Sequence, residues 1–470
     1  MGRKEKPLLR NVEIESVGAE GNSIAKVDGK VLFVQQAIPG DIVDVQVNRV
    51  RSGYMMGYIV KIVTPSPLRI KPFCPHFGVC GGCTWQHLPY EKQLEVKQQQ
   101  VIDQLTRIGH LKLPEITPIL GSPITEYYRN KLDFSFSDHR WVLSGEDPEK
   151  IMAEDWMALG FHIGGFFDKI LDIKECHLQR EPSDSIRLFV RNFCIEHKLT
   201  FFNMRSQTGF MRDLIIRCVS TGEVMLTVVF AYKEEKMSRL LLDAVHERFP
   251  EITSLNYMIN TKKNDSVSDL PYTTYAGKDC IYEEMEGLKF RIGPKSFFQT
   301  NSEQVHKLYS VVRDFAGLTG REIVYDLYTG TGTIALFLAS KASKVVGIEY
   351  VQEAIDDANI NAEINGLSNS LFFAGDMKEI LNDEFIGTNG HPDVVVLDPP
   401  RAGIHPSVAE VLLKAAPYKI VYVSCNPASQ ARDLEILCKD DKYKITAVRP
   451  VDMFPHTVHV ENVVKLERVD

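Results

Sequence analysis

Ile323-Val324-Tyr325-Asp326-Leu327-Tyr328-Thr329-Gly330-Thr331-Gly332-Thr333 passes from a strand-like run into a helix-like one, Thr333 to Ala339, through two glycines. Glycine tolerates tight turns and lets a ligand approach the backbone, so the stretch reads as the first strand, loop and helix of an α/β sheet. The pattern then repeats. Val345-Val346-Gly347-Ile348 ends at Glu349, and Leu371-Phe372-Phe373-Ala374-Gly375 ends at Asp376. Val394-Val395-Val396 runs into Leu397-Asp398-Pro399-Pro400-Arg401, and Ile420-Val421-Tyr422-Val423 into Ser424-Cys425-Asn426-Pro427. Apolar strands alternating with helical patterns from Phe297 onward predict a Rossmann-like, mostly parallel sheet. Polar chemistry at several strand ends predicts one site at the carboxyl edge of that sheet.

Each strand end has two readings. The two-glycine loop is either a ligand cradle or only a tight turn. Glu349 is placed to accept both hydroxyls of a ribose. Asp376 is placed beside an adenine or, equally, as the N-cap of a helix beginning at Met377. The loop lacks the third glycine of the dinucleotide fingerprint, which favours a nucleoside without pyrophosphate, S-adenosylmethionine over NAD. Cys425 follows a buried strand and precedes a helix start, where the local dipole favours a thiolate nucleophile. The alternative for an isolated cysteine is a small core residue.

The rest of the 470-residue chain divides into β-rich and linker segments. Residues 1–63 hold short alternating runs, with Asp28-Gly29 as a hairpin turn, and predict a small OB-type barrel. Residues 64–290 form a central, β-rich domain that opens with a Pro-rich linker, a cysteine loop and a helix over about 90–108. Residues 291–470 carry the α/β pattern. The net charge is −8, yet residues 1–71 hold 11 Lys or Arg against 7 Asp or Glu, a local +4 that leaves −12 on the remainder. A basic module on an acidic body suits an RNA partner, because binding follows the local field. No apolar run is long enough to span a membrane. Met1-Gly2-Arg3-Lys4-Glu5-Lys6 lacks the apolar stretch of a secretory signal, so a cytoplasmic protein is expected.

The nine cysteines are odd in number and unevenly spread, which disfavours a disulfide framework. Cys74, Cys80 and Cys83 share a Gly- and Pro-rich loop, and Cys176 stands far off in sequence. Four thiolates hold either a four-iron four-sulfur (4Fe-4S) cluster or a tetrahedral zinc, and the three-plus-one spacing leans toward iron and sulfur. His76, His87 and His177 are alternative ligands. Cys194, Cys218, Cys280 and Cys438 lack partners at ligand spacing and read as core thiols.

Taken together, these segments resemble the TrmA-type RNA uracil-C5 methyltransferases, specifically the iron–sulfur branch that acts on 23S ribosomal RNA. The resemblance is carried by Cys74, Cys80, Cys83 and Cys176, by Phe297-Phe298-Gln299-Thr300-Asn301, by Asp326 to Gly332, by Asp398-Pro399-Pro400-Arg401-Ala402-Gly403, by Ser424-Cys425-Asn426-Pro427 and by His459-Val460-Glu461-Asn462. It implies an S-adenosylmethionine-dependent enzyme with a TRAM barrel for RNA and a 4Fe-4S cluster on the four cysteines. It implies that Cys425 adds to uracil C6, that C5 then takes the methyl group, and that Glu461 removes the C5 proton before the thiolate leaves. Without the resemblance, Glu461 reads as a surface charge. Gln299, Tyr328 and Glu349 correspond to cofactor positions, and Asp398 to a contact with the uracil or cofactor. Thr333 departs from the Asn often found there. The competing readings are the same reaction on the T-loop uracil of transfer RNA, and a non-catalytic RNA-binding assembly factor. A monomer is expected.

Overall fold

The computed structural model describes residues 6–469; the charged start, residues 1–5, lies outside them. Residues 8–64 form one six-stranded sheet around a small core that includes Ile14, Leu32, Val34, Val43 and Val45. Its tightest turn is the predicted one. Asp28 and Gly29 both have positive φ, +49° and +75°. Two left-handed residues make a type I′ hairpin turn, whose twist matches that of the strands it joins.

A seven-stranded central sheet spans Lys131–Ser137 to Tyr272–Gly277. Its inner strands, Met211–Cys218 and Val224–Phe230, are buried almost throughout, and the helices Ser183–Glu196 and Glu235–Arg248 contribute to the core beside them. The hairpin Ile281–Met285 and Leu288–Ile292 leads out of it. Phe290 and Ile292 belong to the same core as Leu308 and Val312 of the helix Ser302–Ala316, so the hairpin is packed with the C-terminal sheet.

The C-terminal sheet has seven strands, and its order fixes the site. From one edge they run Ser370–Ala374, Lys344–Glu349, Ile323–Leu327, Val394–Leu397, Lys419–Ser424, Glu461–Arg468 and Tyr443–Val451. The first five are mutually parallel. Glu461–Arg468 is antiparallel to its neighbours and pairs Asn462 with Ser424 and Glu461 with Val451. An antiparallel strand begins where parallel ones end. Glu461, its first residue, therefore sits at the carboxyl edge beside Cys425.

The helix Tyr90–Arg107 confirms the helical pattern read near 90–108. Its Val101 and Leu105 enter the core of the C-terminal sheet, with Ala431, Leu434 and Leu437 of the helix Pro427–Leu437. Thr117 and Leu120 then donate backbone hydrogen bonds to Val448 and Pro450 of the edge strand. The segment after the cysteine loop is thus built onto the C-terminal sheet.

Candidate active site

A cavity of about 1200 Å³ opens at the carboxyl edge, lined by Gln299, Tyr328, Gly330, Glu349, Asp376, Asp398, Cys425 and Glu461 among others. All seven residues singled out in the sequence for catalysis or cofactor contact share it. The Gly-rich loop forms one wall. Gly332 has φ +78°, and a Cβ there would lie 3.0 Å from both the Ala358 Cβ and the Phe372 ring, so any other residue would be strained and crowded. Gly330, at φ +55°, would meet nothing within 4 Å. Tyr328 itself takes a left-handed φ of +66°, uncommon for a bulky residue. Asp326 lies beneath, its Oδ2 accepting bonds from the Thr329 hydroxyl (2.6 Å) and the Ala335 amide (3.0 Å). It holds the loop rather than lining the cavity.

Glu349 accepts from the Gly330 amide at 3.2 Å, and from Tyr350 and Val351 at 2.8 and 3.1 Å. Asp376 caps the helix Met377–Ile380 by accepting from Lys378 at 3.1 Å, and it also lines the cavity. The two readings of Asp376 therefore coexist in geometry. Thr333 donates to or accepts from Tyr309 at 2.9 Å.

At the other end Cys425, Asp398, Glu461 and Arg401 form one electrostatic group. Burial and the neighbouring Asp398 push the Glu461 carboxyl up to about 8, against the pull of Arg401. Burial, with Asp326 adding, pushes Asp398 up to about 7. The Cys425 thiol is pushed up to about 11 by burial and then by Glu461 and Asp398, with Arg401 opposing. This corrects the sequence-based expectation that the helix start makes Cys425 a thiolate. Burial first, and then two carboxyls close by in space, outweigh the dipole of the helix that follows, so the thiol is protonated at neutral pH. Glu461 is buried rather than a surface charge. Arg401 is held through its Nη2 by His459 Nδ1 at 2.8 Å, and the Arg401 carbonyl accepts from Asn426 and Ser429, both at 3.0 Å.

Phe454, Tyr309, Tyr350 and Lys295 also line the cavity and were missed in the sequence. Phe454 sits in an irregular turn that carries no periodic signal. Tyr350 directly follows Glu349 and is 71% exposed, and a large aromatic left in solvent beside a polar strand end was the available clue.

Cys74, Cys80, Cys83 and Cys176 come together around a second, small cavity with Phe77, Phe161 and Leu178. Among the described residues no group of three or more His, Cys, Asp or Glu side chains is drawn together for a single ion. The four thiols border one space, together with Gln86 and Glu175. His76 and His177 border the same cavity. The His76 Nε2 is used by the Lys174 amide at 3.0 Å, and His177 Nδ1 by the Tyr127 hydroxyl at 2.9 Å. Cys194 and Cys280 are buried thiols, and Cys218 and Cys438 are partly covered.

A class I methyltransferase sheet joined to an RNA-binding type of barrel defines the class of protein. Residues 274–469 match the family model of tRNA (uracil-5-)-methyltransferases, and residues 9–60 match the TRAM domain. An RNA methyltransferase of Porphyromonas gingivalis, itself described as uncharacterized, is 56% identical over 97% of this chain and 99% of the relative. One of Bacteroides thetaiotaomicron is 55% identical over 96% and 100%. The crystal structure of the Pyrococcus abyssi tRNA (uracil-54, C5)-methyltransferase with S-adenosyl-L-homocysteine is similar at a TM-score of 0.75 and 30% identity, covering 97% of this chain and 100% of that one. The chain belongs to the TrmA-type RNA uracil-5-methyltransferase family with a TRAM domain, and it is an S-adenosylmethionine-dependent RNA methyltransferase.

Proposed function

We propose that this enzyme methylates C5 of a uracil in 23S ribosomal RNA, with Cys425 as nucleophile and Glu461 as base. The observation that carries this reading is the shared cavity, in which the first residue of an antiparallel strand stands beside the thiol that ends its neighbour. Uracil C5 is too electron-poor to attack a sulfonium methyl directly. Bond formation between the Cys425 sulfur and C6 moves the ring's electron pair toward C5 and O4, and C5 then takes the methyl group. Glu461 removes the C5 proton, the C5–C6 double bond re-forms, and the sulfur leaves with its electron pair. Since the thiol is protonated at rest, its proton must pass to a base when RNA binds; Asp398, which already interacts with it, takes that proton in this reading and leaves Glu461 free for the C5 proton.

Gln299, Tyr328, Glu349 and Asp376 hold S-adenosylmethionine in this reading, with Glu349 toward the ribose. Asp398 contacts the uracil. Cys74, Cys80, Cys83 and Cys176 hold a 4Fe-4S cluster, whose part is to fix their loop. The TRAM barrel supplies RNA affinity. The cysteine loop, which the resemblance ties to the ribosomal branch, supports 23S RNA. A second reading, the T-loop uracil of transfer RNA, is favoured by the Pyrococcus neighbour, whose substrate is position 54 of tRNA.

Two measurements test this. Mapping 5-methyluridine in cells lacking the protein should show a loss from 23S RNA with tRNA unchanged, and the converse selects the second reading. RNA carrying 5-fluorouracil should form a denaturation-resistant complex with the wild type and none with Cys425→Ala, because fluorine cannot leave as a proton. An equal yield of complex from Cys425→Ala would remove the nucleophile's assignment.

A further inference from the structure

The turn 452–460 leads into Glu461 and has no regular structure, yet its Phe454 lines the catalytic cavity. One helix supplies several of its anchors, beside the Thr84 and Trp85 amides on the His456 carbonyl, Asn301 on the Met453 carbonyl and Tyr128 on the Pro455 carbonyl. Lys97 donates to Asp452 Oδ1 at 2.6 Å and to the Phe454 carbonyl at 3.0 Å. The Tyr90 hydroxyl donates to Asp452 Oδ2 at 2.8 Å, and the Phe454 amide to Asp452 Oδ1 at 3.1 Å. Gln93 accepts from the His456 amide at 2.9 Å and meets His456 Nδ1 at 3.2 Å. Tyr90, Gln93 and Lys97 are spaced i, i+3, i+7, one face of the helix Tyr90–Arg107. Asp452 directly follows Val451, the strand partner of Glu461.

Lys97 and Asp452 side chains are both 0% exposed. A fully buried lysine is rare unless paired, and apolar residues of similar size often stabilise such a site as well as the pair does. The helix already docks through Val101 and Leu105. What apolar residues could not do is satisfy the amides and carbonyls of an irregular turn and so fix its path.

We propose that Lys97 and Asp452 are positioning residues for proton removal, their ion pair setting the turn that presents Phe454 and aims Glu461 into the cavity. This rests on the reading of Glu461 as the base. A displacement of about 1 Å in a catalytic group costs about 10²-fold in rate. The pair touches neither the Gly-rich loop nor Glu349, so binding of S-adenosylmethionine does not depend on it.

The test uses Lys97→Met/Asp452→Leu, which removes both charges and keeps apolar bulk. Folding is checked by thermal unfolding and by calorimetric binding of S-adenosylhomocysteine, and both should match the wild type. Trapping on 5-fluorouracil RNA should keep its wild-type rate. With ordinary uracil RNA, a covalent complex bearing the new methyl group should accumulate, and release of product should slow about 10²-fold. A purely structural pair would leave release unchanged, or would slow trapping and release in proportion; either result overturns the proposal. If the double variant does not fold, Tyr90→Phe removes one hydroxyl bond to Asp452 and should slow release several-fold with trapping intact, and unchanged release overturns the proposal there. Glu461→Gln run alongside separates the two claims. Wild-type turnover by Glu461→Gln defeats the base assignment and the clamp with it. Accumulation of the methylated complex by Glu461→Gln but not by the charge-free pair defeats the clamp alone.

Discussion

In the proposed mechanism Cys425 and Glu461 work from protonation states set by their surroundings. The base form of Glu461 is the ionised one, and burial and Asp398 hold that carboxyl up at about 8. Its ionised fraction therefore rises as pH rises toward 8 and levels off above it. Product release in single turnover should rise through a midpoint near pH 8, falling about tenfold per unit well below it. Asp398→Asn removes the negative neighbour that raises Glu461, so the midpoint should move to lower pH even as the rate falls through loss of a substrate contact. An unmoved midpoint would mean that another group limits release. That Cys425 borders the site was legible from its place after a strand, and Glu461 was singled out only through the family motif; the cavity holds both side chains. Their ionisation was not legible. It depends first on burial and then on which carboxyls the sheet order brings beside the thiol: Asp398 follows one strand and Glu461 begins another, on either side of the strand that Cys425 follows.

The sheet's elements were legible from period and punctuation, with strands ending at Glu349, Asp398 and Cys425 and glycines marking the first loop. The direction of the last strand was not, since an alternating run reads the same in both directions. That direction is what carries Glu461 to the carboxyl edge. The destination of the helix Tyr90–Arg107 was equally hidden, because its buried face includes Gln93 and Lys97, which look like solvent residues. The glycines of the first loop make a separable prediction. Gly332→Ala puts a methyl 3.0 Å from the Ala358 Cβ and the Phe372 ring at a positive φ. It should cost about 2–4 kcal/mol of stability by adding overpacking to left-handed strain. Gly330→Ala meets open space and should cost only the backbone term, about 1–2 kcal/mol. Thermal unfolding of both variants measures the difference, and equal losses would contradict the packing role given to Gly332.

The cysteine loop joins the parts of the whole molecule. Gln36 of the barrel donates to the Gly78 carbonyl at 2.6 Å. Cys80 bridges to Ile163 of the central region, and the Thr84 and Trp85 amides both donate to the His456 carbonyl in the catalytic turn. This loop has almost no regular structure of its own. Four thiols around a common space are therefore the groups best placed to fix it, and their loss should be felt locally. Protein purified without oxygen should contain iron and sulfide in equal amounts, about four of each per chain. Cys176→Ser should lose both and expose residues 68–89 to proteolysis, while the sheet of residues 323–468 remains protected. Stoichiometric zinc without sulfide would point instead to a tetrahedral site. Wild-type proteolysis in a metal-free Cys176→Ser protein would mean that the hydrogen bonds from Gln36, Thr84 and Trp85 hold the loop unaided, and that the cysteines serve some purpose other than joining barrel, central sheet and catalytic turn.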